Sequence, residues 1–279
     1  MTTVTPSPGG MLPFITPTFS YLLESAEWLP SLDLVDRLAG EKPELGAERQ
    51  MAAGGWMMYA GPQSPMNHMI GMGLQGPVSK EEFDRVEDFY RVHASHCEVV
   101  VSPYADSSLM KHLGERGYRV TEWNSVLVRQ LSGEESFDPP TRDLEIRRVG
   151  PENARQWSEV VALGFAEIVP VSPDLFVPFA SAGNAICFLA YLGGKAVAGA
   201  GGSVFPQEGI APFYGAATLP EYRQRGAHNA LFQARLRAAA AAGCRWAVVC
   251  TLPGSASQRN AERNGFRLAY TKIAMQRQL

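Results

Sequence analysis

Residues 223–228, Arg-Gln-Arg-Gly-Ala-His, place two arginines and a glycine where a helix is expected to begin, three residues after an apolar strand that ends AATL at residues 216–219. A strand that feeds a glycine turn into a helix directs successive backbone N–H groups at one point, where the helix dipole adds positive potential. Arg223 and Arg225 can add charge-assisted hydrogen bonds to a diphosphate, and Gly226 lets the backbone approach it closely. The segment therefore predicts a pyrophosphate site. The alternative is an ordinary helix start with two solvated arginines.

This segment resembles motif A of the GNAT superfamily of N-acetyltransferases, whose pattern is Gln/Arg-x-x-Gly-x-Gly/Ala at the start of the long helix after the fourth strand. Arg223 and Gly226 match the pattern, and His228 stands at its final small residue. Downstream, an apolar strand and a helix lead to residues 264–267, Asn-Gly-Phe-Arg, which are similar to the Gly-Phe that ends the corresponding helix in the family. The resemblance covers the carboxy-terminal half of the chain.

The resemblance implies that acetyl-CoA is the co-substrate and lies between the fourth and fifth strands of a splayed sheet. The pantetheine arm would bond to the backbone of the fourth strand, and the loop would bind the diphosphate. Carried over by position, the implied cofactor-binding residues are Ala216, Ala217, Thr218, Arg223, Gln224, Arg225, Gly226, Ala227 and His228. The alternative for the small strand residues is tight packing against the long helix.

Two residues that many family members use near the thioester are replaced in this chain. The tyrosine that protonates the leaving thiolate corresponds to Ala261, and an asparagine at the start of the same helix corresponds to Gly254. Tyr214 and Tyr270, on the fourth and last strands of this half, are the nearest candidates for the acid; otherwise solvent protonates the thiolate. Tyr214 could equally be a half-buried strand tyrosine with a hydrogen bond at its tip.

Glu167 and Glu208 are the candidates for a general base. An acceptor groove in this architecture is formed by the first helices and by loops, which here correspond to residues 166–184. One further acidic residue, Asp174, and several apolar residues in this segment are compatible with a cationic or moderately hydrophobic small amine. No feature of the sequence specifies the oligomeric state.

The two halves of the chain end in similar segments. Residues 117–131, GYRVTEWNSVLVRQL, align without gaps with residues 265–279, GFRLAYTKIAMQRQL, at an offset of 148 (265 minus 117). Upstream, CEVVV at residues 97–101 falls opposite CRWAVV at residues 244–249. Similarity at a domain-sized period predicts a tandem duplication, with chance similarity of two strand ends as the alternative.

We therefore predict an α/β (α+β) fold with two GNAT-like domains, each a mixed, mostly antiparallel sheet flanked by helices. Residues 1–131 form the first domain, the polar, proline-containing residues 132–143 a linker, and residues 144–279 the acetyl-CoA-binding domain. Residues 75–80 of the first half, QGPVSK, lack the arginines of the loop, so this half is expected to be degenerate.

In that first half, a helix is expected from Lys80 to Ala94, with Ser79 and Glu82 forming a capping box. Residues 1–50 are interrupted by prolines and predict only a poorly defined helical entry.

Composition excludes several classes of function. A net charge of −3 leaves no basic excess for a nucleic-acid partner. No apolar run is long enough to span a membrane, four cysteines occur without a CxxC pair, and no secretory signal is evident. A cytoplasmic protein with reduced thiols is the simplest expectation.

Two further patterns are weaker. Residues 71–76 match Gly-x-Gly-x-x-Gly literally, but Pro77 and the Ser79 cap place the helix start after the third glycine, so a dinucleotide site is not expected. His93 and His96 have helical spacing but no further ligand at metal-site spacing, so no metal is expected.

The leading hypothesis is an N-acetyltransferase acting on a small-molecule amine. A non-catalytic acyl-CoA-binding or regulatory module and a purely structural protein remain alternatives, because the usual acid is missing at Ala261.

Overall fold

The computed structural model describes residues 13–132, 143–166 and 172–279. The strands are β1 (Glu48–Ala52), β2 (Gly55–Tyr59), β3 (Met69–Ile70), β4 (Cys97–Val101), β5 (Arg119–Gln130), β6 (Leu144–Arg148), β7 (Phe188–Leu192), β8 (Lys195–Gly202), β9 (Ile210–Thr218), β10 (Trp246–Thr251) and β11 (Arg267–Arg277). The helices are α1 (Pro17–Glu41), α2 (Lys80–Val92), α3 (Ser107–Glu115), α4 (Ala154–Phe165), α5 (Val177–Ala180), α6 (Ala227–Ala241) and α7 (Ala256–Arg263). This mixed architecture confirms the predicted fold class.

The strands form one sheet in the order β1-β2-β3-β4-β11-β5-β10-β9-β8-β7-β6. Among the described strands, β3 pairs parallel with β4, β9 pairs parallel with β10, and the other neighbours are antiparallel. The two parallel pairs occupy corresponding places in the two halves, as a duplicated unit requires.

The last strand of each half lies in the sheet of the other half. β5 ends the first half, yet it pairs with β10 of the second along six residue pairs from Ser125 to Gln130. β11 ends the chain, yet it pairs with β4 of the first half. The similar segments identified in the sequence therefore occupy equivalent positions, and they pair antiparallel with each other at the centre of the sheet.

Helices cover both faces of the sheet because alternate strand residues are apolar on each face. One face carries α6 and α7 over a core that includes Phe213, Leu231, Phe232 and Phe266, with α2 and α3 over a second core. The opposite face carries α4 and α5 around Trp157, and α1 over the centre of the sheet.

The local expectations for the first half are partly confirmed. Ser79 and Glu82 form the capping box of α2, and the glycines of residues 71–76 lie in the turn between β3 and α2. Residues 1–50 were expected to form only a poorly defined helical segment. The structure instead shows the 25-residue helix α1 in this region, and the helix continues through Pro30. Only part of the 132–143 linker is described, so its proposed extent stays a prediction.

Candidate functional site

β9 and β10 lie side by side along only part of their length. Ile210–Phe213 pair with Trp246–Val249, and no pair joins the two strands beyond these in the described part of the chain. β9 continues to Thr218 paired with β8, while β10 continues to Thr251 paired with β5. The strands therefore separate, and one backbone edge of β9 is left without a neighbouring strand. We refer to this gap as the strand opening.

The three small residues predicted from the resemblance lie on the free edge of β9. Ala216, Ala217 and Thr218 are each partly buried. A Cβ built at Gly164 of α4 would lie 2.5 Å from the Cβ of Ala217, so the Ala217 side chain fills a close helix contact. Packing thus accounts for this side chain, but it leaves the backbone edge toward β10 open.

The loop after β9 turns sharply before α6. Gln224 has φ +63° and Gly226, the N-cap residue, has φ +81°. Glycine adopts the second value without strain. Arg223, Gln224, Arg225 and Gly226 are exposed, whereas Ala227 is buried. The Arg223 Nε donates to the Thr218 carbonyl at 3.3 Å, which holds this guanidinium against the end of β9.

The amino terminus of α6 has no side-chain cap. Within the described residues, the backbone N–H groups of Gln224, Arg225 and Gly226 donate to no backbone carbonyl. A helix of this length also leaves its first N–H groups without intrahelical partners. These donors, with the positive end of the helix dipole, make the loop suited to an anion.

The corresponding helix of the first half is capped by its own residues. The Ser79 Oγ accepts from the Glu82 N–H at 3.1 Å, and the Ser79 N–H donates to Glu82 Oε2 at 3.0 Å. A carboxylate therefore already occupies the amino terminus of α2. This contrast supports the expectation that only the second half binds a diphosphate.

His228 lies in the first turn of α6, beside α7. Its Nδ1 is 2.8 Å from the Asn260 Nδ2, and the Asn260 Oδ1 accepts from Arg263, so Nδ1 is the acceptor and Nε2 carries the proton. Burial, with the Arg235 guanidinium nearby, lowers the pKa of His228 to about 4. The ring is therefore neutral at neutral pH.

Two buried polar atoms near the strand opening have no hydrogen-bond partner among the described residues: His228 Nε2 and the Oγ1 of Thr251, the last residue of β10. The His228 ring contacts Phe232, which in turn contacts Phe213, the last β9 residue paired with β10. This chain of contacts places His228 over the opening on the α6 side. Buried orphan groups of this kind require an explanation such as a ligand or water.

The positions of the missing tyrosine and asparagine are structurally ordinary. Ala261 is fully buried in the core under α6 and α7. Gly254 is exposed in the turn before α7, and its N–H donates to Gln258 at 2.7 Å. Neither position offers an acid.

Tyr214 is the first residue of β9 beyond its pairing with β10. Its hydroxyl lies 2.7 Å from the Ser203 Oγ, and its ring contacts Phe179. Burial raises the pKa of Tyr214 well above its ordinary value, so the phenol is protonated. The hydroxyl lines a small pocket with Pro30 and Asp33 of α1 on the face opposite α6.

Tyr270 lies on β11, and β5 separates it from β10. Its hydroxyl bonds to Glu24 of α1 at 2.8 Å and is buried. Burial, reinforced by Glu24, raises the pKa of Tyr270 far above its ordinary value. The structure therefore does not bring Tyr270 together with the loop, and its catalytic role stays a prediction, as does that of Tyr214.

The two predicted bases are not gathered at the opening. Glu208 is exposed in the turn before β9, at the end opposite the loop. Glu167 lies outside the described residues. Of the expected acceptor segment, Asp174 is exposed and paired with Arg155, while Phe179 faces the pocket beside Tyr214.

Sequence reasoning missed a group of polar residues under α1 on this same face. Glu24 and Glu27 of α1 contact Lys272 of β11, and the Sγ of Cys250 is 3.7 Å from Glu27 Oε2. Two acidic residues within the apolar run Tyr21–Leu29 were the available signal, because a carboxylate on a buried helix face needs a partner.

No group of histidine, cysteine and acidic residues suited to hold a metal ion occurs in the described ranges. No described helix is long and apolar enough to cross a membrane.

Comparison with known structures shows the same architecture in other proteins. A GCN5-related N-acetyltransferase from Kribbella flavida is 14% identical with a TM-score of 0.66, and the match covers 90% of this chain and 95% of that one. One from Sphaerobacter thermophilus is 12% identical with a TM-score of 0.57, over 95% and 94% of the two chains. A tandem GNAT protein from the clavulanic acid biosynthesis pathway is 12% identical with a TM-score of 0.58, over 80% and 78%.

These likenesses establish the fold, including its tandem form. No curated protein matches the chain in sequence. The sequence of residues 155–266, however, matches the model of the acetyltransferase (GNAT) family, and this range includes α4, the strand opening, the loop and α7. The carboxy-terminal half of the chain therefore contains a domain of the acetyltransferase (GNAT) family.

Proposed function

We propose that the protein is an N-acetyltransferase that transfers the acetyl group of acetyl-CoA to the amine of a small molecule. The observation that carries the proposal is the uncapped amino terminus of α6, which lies beside the opening between β9 and β10. The family match supports acyl-CoA-dependent transfer in general. We also propose that the acyl group is acetyl, that the acceptor is a small-molecule amine and that the protein is cytoplasmic.

The residues present fit this co-substrate. The N–H groups of residues 224–226, with Arg223 and Arg225, suit a diphosphate, and the free edge of β9 suits the amides of a pantetheine arm. Acetyl-CoA supplies a thioester, the activated acyl group that an amine can attack. The unpartnered His228 Nε2–H is a donor on the same side as the loop.

A neutral imidazole held at a helix amino terminus can stabilise a developing negative charge by hydrogen bonding. Here His228 is held neutral by burial and fixed in one tautomer by Asn260. We assign it the stabilisation of the leaving thiolate, which the absent tyrosine performs elsewhere. Tyr214 lies on the opposite face of the sheet, where its hydroxyl bonds to Ser203.

The two predicted domains have different proposed roles. Residues 144–279 bind the co-substrate, and residues 1–131 act as a scaffold whose α1 covers the opposite face of the opening. The capped start of α2 supports the absence of a second diphosphate site.

Calorimetric titration with acetyl-CoA tests the binding site. Gly226→Glu places a carboxylate and a strained backbone at the diphosphate position, and we expect it to abolish binding. Gly243→Glu is the matched control, because Gly243 has φ +83° just past the other end of α6 with nothing within 4 Å of a built Cβ. Equal stability loss with retained binding in the control is expected. Absence of binding by the wild-type protein would overturn the proposal.

The absence of the usual acid at Ala261 favours one alternative, a non-catalytic acyl-CoA-binding module. Thiol release in the presence of a panel of primary amines separates the two functions. Binding without release for any amine would establish the module, whereas release that depends on the amine establishes the enzyme.

A further inference from the structure

The polar group under α1 lies directly at the strand opening. Phe213 and Val249 are the last paired residues of β9 and β10, so Tyr214 and Cys250 are the first residues beyond the point of separation, one on each strand. Alternation along the strands turns both side chains to the face that carries α1. The Glu27 carboxylate, in contact with Cys250, therefore lies at the apex of the opening on that face.

This location is accessible although it is deep in the molecule. Cys250 is exposed to solvent. The Glu27 side chain is 31% exposed, whereas those of its neighbours Glu24 and Lys272 are 1% and 2% exposed. Solvent therefore reaches Cys250 and part of the Glu27 side chain, and Glu27 is the more accessible carboxylate of the group.

The group carries an excess negative charge. Lys272 is one cation between the carboxylates of Glu24 and Glu27. Burial acts most strongly and raises the pKa of Glu27, but the Lys272 ammonium and the hydrogen bonds from Lys272 and Cys250, with other neighbouring groups, together outweigh it. The pKa of Glu27 is therefore lowered, and this carboxylate is ionised at neutral pH. Burial lowers the pKa of His68, which is therefore neutral.

His68 provides an independent indication of a ligand. It is 4% exposed and close enough to Glu27 for that carboxylate to act on its pKa. Its Nδ1 lies 3.1 Å from the Pro65 carbonyl and donates to it, which leaves a lone pair on Nε2. The Nε2 has no partner among the described residues. The unpartnered acceptor of His68 is within electrostatic range of Glu27, and an ammonium group bound at that carboxylate would carry three donors.

We propose that Glu27, contributed by the amino-terminal half, binds the ammonium group of the acceptor and accepts its proton. This inference rests on the proposed function, because the opening is where the thioester would lie. Glu27 takes one proton from R–NH₃⁺, the free amine forms a C–N bond with the acyl carbon, the C–S bond breaks and the thiolate is protonated. One proton is released to solvent in total.

Cys250 is a built-in reporter of this charge, since the other three cysteines, Cys97, Cys187 and Cys244, are buried. We compare its rates of modification by a cationic and an anionic methanethiosulfonate of similar size, located by mass spectrometry. We expect the wild type to favour the cation about tenfold, which corresponds to roughly 1.4 kcal/mol, and Glu27→Gln to lose most of this preference. The exposed Glu208 gives the matched control, and Glu208→Gln should keep the wild-type ratio.

The catalytic arm uses the same two variants. We expect Glu27→Gln to bind acetyl-CoA as the wild type does and to lose about 10²–10⁴-fold in kcat/KM for an amine that supports thiol release. The Lys272 ammonium keeps Glu24 as a partner, so this variant should fold.

An unchanged cation preference in Glu27→Gln, or an equal change in Glu208→Gln, overturns the assignment of the ammonium site. A loss in kcat/KM below threefold overturns the proton-accepting role. Failure of the wild type to bind acetyl-CoA would reject the proposed function instead, and the modification ratio would still report on Glu27.

Discussion

Replacing Lys272 by methionine tests the polar group that joins the two ends of the chain. The Lys272 Nζ lies 2.9 Å from Glu24 Oε2 and also contacts Glu27, and Lys272 and Glu24 are almost completely buried. Methionine fills similar space but leaves two carboxylates without a cation. Among the described residues, the Tyr270 hydroxyl, 2.8 Å from Glu24, would remain as the donor to the Glu24 side chain. Removing one partner of a buried pair costs about 3–5 kcal/mol, and we expect this range for Lys272→Met.

The cost should depend on pH with a definite sign. Burial alone would lower the pKa of Lys272, but Glu24 and Glu27 outweigh it and hold this pKa well above its ordinary value. The pKa of Glu27 is lowered. In the wild type the pair therefore stabilises the fold above the unfolded-state carboxylate pKa of about 4.3 and below that of lysine, about 10.4. It loses this contribution as the pH falls through the lowered pKa of Glu27.

In the variant, the contribution of the two carboxylates to stability changes with pH in the opposite direction. Two neighbouring carboxylates without a cation favour protonation, so the variant loses stability as the pH rises above about 4.3. The difference between wild type and variant should be largest near pH 7 to 8 and shrink toward pH 5.

Guanidinium unfolding curves at several pH values measure the difference. The double variant Glu24→Gln, Lys272→Met should recover part of the lost unfolding free energy. Its stability can therefore be measured even if the single variant does not fold. A cost below about 1 kcal/mol, the usual limit for an exposed ion pair, or a cost independent of pH, would refute the reasoning.

His228→Gln should make the stability of the protein less sensitive to acid. The pKa of His228 falls from 6.5 to about 4 on folding, so the unfolded chain binds a proton more readily than the folded protein. The wild type should therefore lose up to about 3 kcal/mol of unfolding free energy as the pH drops from 6.5 to 4. Parallel stability curves for the two proteins over this range would contradict the burial of the ring. Fragments 1–131 and 144–279 should fold together but not alone, since β5 pairs with strands of the second half. Circular dichroism of each fragment and of their mixture checks this, and cooperative unfolding of an isolated monomeric fragment would count against it.

Local features were predictable from the sequence. The capping box of α2 needs only residues three positions apart, and the glycine turn before α6 needs only a strand, a glycine and a helix in succession. Each of these two features depends on residues that are close in sequence, so it can be predicted without knowledge of the tertiary structure.

Features that depend on distant partners were not predictable. Pro30 argues against a helix interior because it lacks an N–H, yet α1 continues through it, and apolar packing of this helix on the sheet accounts for that. The similar segments of the two halves revealed the duplication, but strand pairing across the halves is set by long-range register, which no local pattern encodes. Glu27 was missed for the same reason, since its partners Cys250 and Lys272 are more than two hundred residues away.

The exchange of strands gives the first half a structural role in the second, even though the start of α2 lacks the features of a diphosphate site. Because β11 pairs with β4, α1 is held across the centre of the sheet, where it contacts both β2 and β9. Its middle turns then cover the opening in the second half and bring Glu27 to the apex. Without the first half, α4 would still pack against β9, but the apolar cluster that joins α1 to Val248 of β10 would be lost. The duplicated half is therefore expected to tolerate changes at the start of α2 far better than changes along α1, since α1 contributes Glu27 to the proposed site and α2 packs on the opposite face of the sheet.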